Sequence, residues 1–503
     1  MAPSARRGGD RAAARVVSLR RSARLALQRR SPAASPAASA APAPPRAPPL
    51  RRRRPYLHFR QSDNQACLAG HVARNQVVFV HAWPGTGRSS QVPRVLHAAG
   101  HGRVVCSQTY RLAAESAAAH AAADMRPGEV ACCLQDPLDD PAAGTAAVTY
   151  TTHRALLRVL AADRLLARYG AVVVDEADDG MLLTAAVLSC VKAAAAARRP
   201  DLRVVILTHG TMFHGVGEAL HGLFPGAKHL WFRTGTGLCP WEFLAAPVTD
   251  HVAAAVDTVC RIHATEPQAP PAAGGVLVFL PSRADVEASE RLLAARALPG
   301  VTTRCLHDGV SVAHLVGGVL SPPTDGERKV VLATDVADSA VFVEGINYIV
   351  DSGYRCTDDA PPSLTRPRRR PSSPAPPPRI VSWALKASVR SGYHIKRWGS
   401  RGKCFCLYTG DERREMLRTG CSPLQTRTDD VDCLAGIVLV LKDLGIIPSG
   451  SAAESFGFVL PPRPEKLRTA LAALVEAGAV GLDGEVTEAG KRMAREILGR
   501  CYF

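Results

Sequence analysis

The sequence predicts an α/β protein with two tandem parallel-sheet domains followed by a small helical domain. Short apolar runs alternate with helical patterns from about residue 75 to 211, and again from about 276 to 409. This alternation is typical of parallel sheets that are covered by helices on both faces. A break that contains proline and glycine, at about 264–275, separates the two series.

Each series consists of five strand-like runs near helical patterns. The first series is NQVVFVHA (75–82), RVVCSQ (103–108), AVTYTT (147–152), AVVVDEA (171–177) and RVVILTHGT (203–211). The second is VLVFLPS (276–282), TTRCLHDG (302–309), KVVLATD (329–335), NYIVDSG (347–353) and KCFCLYT (403–409). The predicted boundaries are a disordered tail at 1–56, α/β domains at 57–235 and 236–410, and a C-terminal unit at 411–503.

The N-terminal tail carries most of the positive charge. The net charge of the chain is +17, and residues 1–60 contribute +14, with fifteen arginines and one acid, Asp10. A segment rich in Arg, Ala, Pro and Ser buries too little apolar surface to fold. It fits a nuclear or nucleolar signal, an organellar transit peptide or a non-specific nucleic-acid arm, and these three remain open. Any nucleic-acid groove in the folded part must therefore be local.

Cysteine usage and hydropathy predict an intracellular protein of the nucleus or cytoplasm, with an organellar transit peptide as the open alternative. The fourteen cysteines show no spacing typical of zinc, so buried reduced thiols are expected. No apolar run reaches the roughly 20 residues that a membrane-spanning helix needs. We therefore predict no membrane partner.

The stretch Val77–Gln91 predicts a phosphate-binding turn. It reads VVFVHAWPGTGRSSQ, which is a buried strand, a glycine turn and a helix start. Backbone N–H groups and a helix dipole that point at one place suit phosphate, and Ser89 offers its hydroxyl to magnesium. The pattern departs twice from G-x-x-x-x-G-K-[ST], with Ala82 at the first glycine and Arg88 at the lysine. The alternative is a glycine turn that opens an ordinary helix.

A second stretch, AVVVDEAD at 171–178, ends a buried strand with two carboxylates. The C-terminal edge of a parallel sheet is where such sheets bind ligands. Asp175 is expected to hold magnesium, and Glu176 is expected to orient or deprotonate the attacking water. The alternative is an acidic surface loop, since Asp178 and Asp179 follow. The order and separation of the two stretches favour a nucleoside triphosphate site.

The chain from about 57 to 499 resembles the DEAH-box ATP-dependent RNA helicases. The first-domain segments that carry the resemblance are NQVVFVHAWPGTGRSSQVPRVL, SQTYRLAAESAAAHAAADM, VTYTTHRALLRVL, VVVDEADDG and ILTHGT. Those of the second domain are VLVFLPSRADVE, RKVVLATDVADSAVFVEGINYIVDSGY and KCFCLYT. The resemblance implies two tandem RecA-like domains and a small helical/winged-helix domain, with ATP and Mg²⁺ as cofactors.

The resemblance also implies roles for individual residues. Those implied to hold the nucleotide and its metal are Gly85, Thr86, Gly87, Arg88, Ser89, Ser90 and Glu344, together with Asp175 and Glu176. Arg111, Thr152 and Thr334 are implied to contact the RNA backbone, and Thr211 is implied to couple hydrolysis to the second domain. Lys396 takes the position of the last catalytic arginine. A threonine at a strand end is otherwise a cap or turn residue.

Several positions depart from the family's pattern. Asp178 replaces the histidine of the DEAH box, and His209 replaces the serine of the TSAT motif. Tyr393 occupies an arginine-finger position, for which Arg397 or Arg401 is a candidate substitute. Loss of such an arginine costs on the order of a thousandfold in rate. The sequence therefore predicts weakened ATPase chemistry at Ala82, Arg88 and Tyr393.

Two regions differ from the family in architecture. Residues 357–380 form a Pro- and Arg-rich insert where the family has a strand-separating β-hairpin, and we expect a basic loop without a ladder. The last segment, from about 411, resembles the family's winged-helix domain. The family's ratchet domain and OB-fold are expected to be missing. Either the protein is a real short form or the gene model is incomplete.

These observations predict an ATP-dependent RNA helicase or RNA-dependent ATPase. The alternative is a pseudo-helicase, a scaffold that binds nucleotide and RNA but hydrolyses ATP slowly or not at all. The expected partner is RNA, contacted through its backbone and so with little sequence preference. RNA is preferred to DNA through the resemblance alone, and an activating protein partner is left open.

Overall fold

A computed structural model describes most of the chain after the N-terminal tail. The described residues are 58–82, 86–134, 140–197, 201–209, 216–232, 240–266, 274–311, 314–321, 326–339, 341, 343, 345–356, 380–382, 402–419, 430–448, 453 and 456–500. Among them, no helix is long and apolar enough to cross a membrane. The ten cysteines whose side chains the structure describes are free thiols, and seven of them are buried.

The first domain is built on a seven-stranded parallel sheet with the order β3-β4-β2-β5-β6-β1-β7. Its strands are β1 (Val77–Ala82), β2 (Val104–Gln108), β3 (Val130–Cys132), β4 (Val148–Thr152), β5 (Ala171–Val174), β6 (Arg203–Thr208) and β7 (Lys228–Phe232). β5 is buried throughout and β6 is buried after its first residue, which explains their continuous Val-, Ile- and Leu-rich runs.

Helices cover the first sheet and follow its strands. They are α1 (Ser62–Arg74), α2 (Arg88–Ala98), α3 (Arg111–Ala122), α4 (Pro141–Thr145), α5 (His153–Ala162), α6 (Leu182–Ala197) and α7 (Val216–Leu223). A 3₁₀ turn at His58–Arg60 precedes α1. Because each helix returns the chain to the start of the next strand, the C-terminal ends of all seven strands meet at one edge.

The second domain repeats this design with a six-stranded parallel sheet, in the order β10-β11-β9-β12-β15-β8. Its strands are β8 (Trp241–Phe243), β9 (Gly275–Phe279), β10 (Val301–Leu306), β11 (Arg328–Ala333), β12 (Ile346–Asp351) and β15 (Lys403–Cys406). The helical elements are α8 (His251–Thr265), α9 (Arg283–Arg296), a π-helical turn at Leu315–Val319 and a 3₁₀ turn at Asp335–Asp338. The predicted class of two tandem RecA-like domains is confirmed.

A short antiparallel pair flanks the proline-rich insert. β13 (Tyr354–Cys356) pairs with β14 (Ile380–Ser382), with Cys356 opposite Ile380. The sequence did not predict this ladder, because its strands have three residues each and stand on either side of the prolines. Residues 357–379 themselves lie outside the described residues.

The C-terminal unit packs on the helices of the first domain. It contains α10 (Gly410–Thr419), α11 (Val431–Asp443), α12 (Pro464–Glu476) and α13 (Glu488–Arg500), with an antiparallel bridge between Val480 and Val486. α11 is apolar almost all round and belongs to one buried cluster with α5 and α6, in which Leu434 and Val438 join Leu188. A helix of this kind needs cover on all sides, which α6, α12 and α13 supply.

Candidate functional site

The turn after β1 leads directly into α2 at the C-terminal edge of the first sheet. Gly87 has φ 80°, a left-handed conformation that glycine adopts without steric cost, and it forms the N-cap of α2. Ser89 and Ser90 follow in the first turn, where the Tyr150 hydroxyl donates to the Ser89 carbonyl (2.9 Å). Thr86 is fully buried. The local shape is therefore a helix N-terminus without a side-chain cap, and such an N-terminus suits an anion.

Arg88 does not point away from this turn. Its side chain is 4% exposed and donates through Nη1 to the carbonyl oxygens of Ala82 and Thr208 (2.6 Å to Thr208). Its Nε lies 3.3 Å from Oδ1 of Asp175. The guanidinium thus spans the ends of β1, β6 and β5, and it neutralises the carboxylate that the sequence assigned to the metal.

Asp175 is enclosed by protein donors on both carboxylate oxygens. Oδ1 accepts from the backbone N–H of Glu176 (2.8 Å), and Oδ2 accepts from Nε2 of Gln108 (3.0 Å). The side chain has no exposed surface. A buried carboxylate is stable only with such partners, because desolvation of an unpaired charge is expensive.

Glu176 has an unusual backbone and a partner in the other domain. Its φ is 54°, in the left-handed region where the backbone of a residue other than glycine is strained. Ser339, which follows the 3₁₀ turn of the second domain, donates its hydroxyl to Oε2 of Glu176 (3.0 Å). Both side chains are buried. This hydrogen bond ties the end of β5 to the second domain.

The two family departures at Asp178 and His209 form a single contact. His209 directs Nδ1 at Oδ1 of Asp178 (2.8 Å), and its backbone N–H donates to Oδ2 (3.0 Å). Burial alone would raise the pKa of Asp178, but the charge and hydrogen bonds of His209 outweigh it and lower that pKa from 3.8 to about 2. An acid on the β5 side and a histidine on the β6 side therefore connect the two strand ends.

Asp179 completes a buried acidic row. Its carboxylate accepts from the hydroxyls of Thr109 (2.8 Å) and Thr184 (2.7 Å), and from the backbone N–H of Met181 (2.8 Å). Since all four acids from 175 to 179 are at most 6% exposed, the alternative of an acidic surface loop is wrong.

Two buried atoms at this edge lack a partner among the described residues. They are Oε1 of Gln108, beside Asp175, and Nε2 of His209, beside Asp178. Buried polar atoms usually have a hydrogen-bond partner, either protein or an ordered polar group. The edge of the first sheet is therefore suited to a further polar occupant.

The three predicted RNA contacts are found in different surroundings. Arg111 is the first residue of α3 and forms an ion pair with Glu115 of the same helix through Nη1 (3.1 Å). Its Nη2 donates to the Val310 carbonyl of the second domain (2.9 Å). Thr152 caps α5, because its hydroxyl accepts from the backbone N–H of Ala155 (3.2 Å). Thr334 follows β11 at the N-cap of the 3₁₀ turn and makes no side-chain cap there.

Other predicted positions lie outside the described residues. They are Gly85, Thr211, Glu344, Tyr393, Lys396, Arg397 and Arg401. Sequence reasoning in turn missed Gln108, Ser339 and the pairing of Asp178 with His209. Only the last left a signal, since two departures at interacting family positions indicate compensation.

Comparison with solved structures identifies the class of this fold. The crystal structure of the Escherichia coli DEAH/RHA helicase HrpB aligns over 86% of this chain and 52% of its own, with a TM-score of 0.67 and 21% identity. A structure of the E. coli DExH-box NTPase HrpB aligns over 85% and 50%, with a TM-score of 0.65 and 21% identity. The sequence matches none of the established family profiles.

The chain therefore has the fold of a DEAH/DExH-type helicase and NTPase core, as the motifs predicted. It spans about half the length of the solved structures that it matches.

Proposed function

We propose that the chain is an RNA-dependent ATPase of the DEAH-box helicase type, which uses ATP to move on or remodel RNA. The observation that supports this most is the buried pair Asp175 and Glu176 beside a glycine turn and a helix N-terminus. All lie at the C-terminal edge of a parallel sheet, with the second domain against it. This is where α/β sheets bind ligands, and phosphoryl transfer needs these groups.

The turn and the start of α2 would bind the phosphates of ATP. Gly87 lets the backbone approach closely, and the first N–H groups of α2 have no partner within the helix. Gly85, Thr86 and Ser90 belong to the same proposed cradle. The guanidinium of Arg88 carries the positive charge that lysine supplies in the common pattern, but it is broader and forked.

Mg²⁺ fits the donors at this edge, because the Asp175 carboxylate and the Ser89 hydroxyl are hard oxygen ligands near the cradle. When bound, the ion would neutralise charge on the phosphates. Asp175 is held by Arg88, Gln108 and a backbone N–H. We propose that Arg88 turns from Asp175 towards the phosphates when nucleotide enters, which leaves Oδ1 of Asp175 with the Glu176 backbone N–H as its remaining protein donor and room for a metal ion.

Glu176 would accept a proton from the attacking water and orient it. Its contact with Ser339 makes the position of this carboxylate depend on the second domain. Thr211, Glu344 and Lys396 are proposed from the resemblance to couple the domains, face the nucleotide and stabilise the terminal phosphate. RNA would lie across both domains near Arg111, Thr152 and Thr334, with contacts to its backbone.

A pseudo-helicase scaffold is the second candidate, and one observation favours it. The Arg88–Asp175 pair is buried and complete without a ligand, so nucleotide must disrupt it before Asp175 binds a metal. Such a pair is costly to break. A chain that keeps the pair intact would bind nucleotide and RNA without turnover.

Steady-state ATP hydrolysis by the full chain, with and without single-stranded RNA, tests the proposal. We expect turnover that RNA stimulates and that Glu176→Gln abolishes. The matched control is Glu218→Gln, an exposed carboxylate on α7 of the same domain, which should retain wild-type activity. Turnover that equals that of Glu176→Gln, with nucleotide and RNA binding intact, would contradict the enzyme and leave the scaffold.

A further inference from the structure

Three histidines of the first domain meet beside, and not within, the nucleotide cradle. His81 lies on β1, His229 on the neighbouring edge strand β7, and His221 on α7. One ring nitrogen of each lies within 4.8 Å of the other two. His221 and His229 are close in sequence, but His81 comes from a distant part of the chain, and so no sequence spacing indicates the full cluster.

The ring nitrogens converge closely. Nε2 of His81 lies 2.8 Å from Nδ1 of His229, and the two rings are nearly parallel, with an interplanar angle of 5°. The His221 ring packs edge-on against His229 at a centroid distance of 4.2 Å. His81 is 1% exposed, whereas His221 and His229 are partly exposed, and so the cluster opens to solvent on one side.

The surroundings fix the orientation of the buried histidine. Nδ1 of His81 lies 2.7 Å from the Thr208 hydroxyl. In metal sites, an outer partner of this kind holds one ring nitrogen so that the other presents its lone pair. Trp231 stacks on His81 at 3.9 Å and Phe79 stacks on His229 at 4.7 Å, which gives the cluster an aromatic wall. Phe79 is fully buried whereas Trp231 is 47% exposed, so the wall limits ring rotation and shields the inner side of the cluster.

We propose that His81, His221 and His229 bind one Zn²⁺ ion through three imidazole nitrogens, with a fourth position open to water. Imidazole suits borderline divalent ions, and three histidines with one open position form a known zinc ligand set. Zn–N bonds of about 2.0–2.1 Å place tetrahedral ligands about 3.3 Å apart. His81 and His229 must therefore separate by about half an ångström and turn so that both lone pairs, which face each other in this structure, point at one ion.

This site adjoins the nucleotide cradle but would need no nucleotide to bind a metal. It joins the edge strand β7 and α7 to β1, the strand that leads into the phosphate turn. The Thr208 carbonyl also accepts from Arg88, and so the outer partner of the zinc site and the anchor of Arg88 are one residue. Zinc is therefore expected to stabilise the first domain whether or not the chain hydrolyses ATP.

Titration of the metal-free full chain with Co²⁺, followed by displacement with Zn²⁺, tests the site. We expect one Co²⁺ per chain, with the d–d absorption of a four-coordinate, nitrogen-ligated ion, together with a higher melting temperature. His221→Ala should weaken binding by at least tenfold. Thr208→Val keeps the carbonyl and the shape of residue 208 but loses the hydroxyl, and should weaken binding by about 10–100-fold.

His120→Ala, at an exposed histidine of α3, is the matched control and should bind as the wild type does. Each variant is first compared with the wild type by its melting temperature without metal. If His221→Ala fails to fold, Thr208→Val and His221→Gln carry the test. Absence of stoichiometric binding, a thiolate-type Co²⁺ spectrum, or affinity unchanged in the His221 and Thr208 variants would overturn the proposal and leave a hydrogen-bonded histidine cluster.

Discussion

The C-terminal edges of the two sheets have similar topology but carry different chemistry. After β5, the first sheet presents four buried acids between 175 and 179, with Arg88 and His209 as their cationic or ionisable partners. After β11, the described residues of the second sheet present the hydroxyls of Thr334 and Ser339 and the buried carboxylate of Asp338. After β12 they present Asp351, which accepts from the Tyr408 hydroxyl (3.1 Å) in its own domain.

This difference indicates a division of labour. The four acids of the first edge each have a different partner: Arg88 for Asp175, Ser339 for Glu176, His209 for Asp178, and the hydroxyls of Thr109 and Thr184 for Asp179. The second edge reaches the first through a hydroxyl. Substitution of Asp175 or Asp178, the acids that pair with Arg88 and His209, should therefore have a large effect on stability, whereas substitution of a hydroxyl residue at either edge should have a smaller one.

The largest expected effect on stability comes from breaking the Arg88–Asp175 ion pair of the first edge. Asp175→Asn leaves the buried guanidinium of Arg88 without a counter-charge, and the free energy of unfolding should fall by about 3–5 kcal/mol. Urea denaturation of the full chain measures this. Asp257→Asn removes an exposed partner of Arg296 and should cause no measurable change. Equal losses of unfolding free energy in the two variants would show that the buried ion pair contributes no more to stability than the exposed one.

The second prediction concerns Asp178 and pH. Because the pKa of Asp178 is lowered to about 2 in the folded chain, its stabilisation is complete above about pH 4 and is lost as pH falls towards 2. The shift corresponds to about 2 kcal/mol. Asp178→Asn should therefore be less stable than the wild type at pH 7, and the difference should shrink as pH falls. A difference that is constant with pH would contradict the pairing with His209.

The third prediction tests the link between the edges. Ser339→Ala removes the hydrogen bond to Glu176 and should cost about 1–2 kcal/mol in denaturant unfolding, because a buried charged acceptor loses a donor. Ser289→Ala is the matched control in the same domain, since its buried hydroxyl has no hydrogen-bond partner among the residues that the structure describes. If both serines tolerate alanine equally, the cross-domain contact contributes nothing.

The smallest expected effects on stability are those of two threonine substitutions, one at each edge. Thr152 caps α5, so Thr152→Ala should cost about 1 kcal/mol, whereas Thr152→Ser keeps the cap. Thr334 makes no such cap, and Thr334→Ala should weaken RNA binding while stability is unchanged. RNA titration and thermal unfolding separate the two roles. Loss of stability without loss of RNA affinity at Thr334 would remove it from the proposed RNA surface.

The sequence predicted the sheets better than their edges. The ten predicted runs all form strands, because continuous apolar runs in alternation with helices have few other solutions. β3 and β8 were missed because three residues give no period. β7 was missed because its residues, KHLWF, mix charge and aromatics on a half-exposed edge strand.

The candidate site was predicted in its parts but not in its pairings. Asp175 and Glu176 stand out because carboxylates after a buried strand are unusual. Two pairings depend on which strand ends adjoin in the folded sheet. These are the contact of Arg88 with Asp175 and that of Asp178 with His209, 31 positions away. Sequence order does not give that adjacency.

The most direct test is the affinity of the full chain for ATP, measured once with Mg²⁺ and once with a chelator. It shows whether Asp175 binds a metal or stays paired with Arg88 when nucleotide is bound. The account predicts tighter binding with Mg²⁺ in the wild type, and loss of that difference in Asp175→Asn. Equal affinity with and without Mg²⁺ in the wild type would contradict the account, because Asp175 would then remain paired with Arg88 while nucleotide is bound.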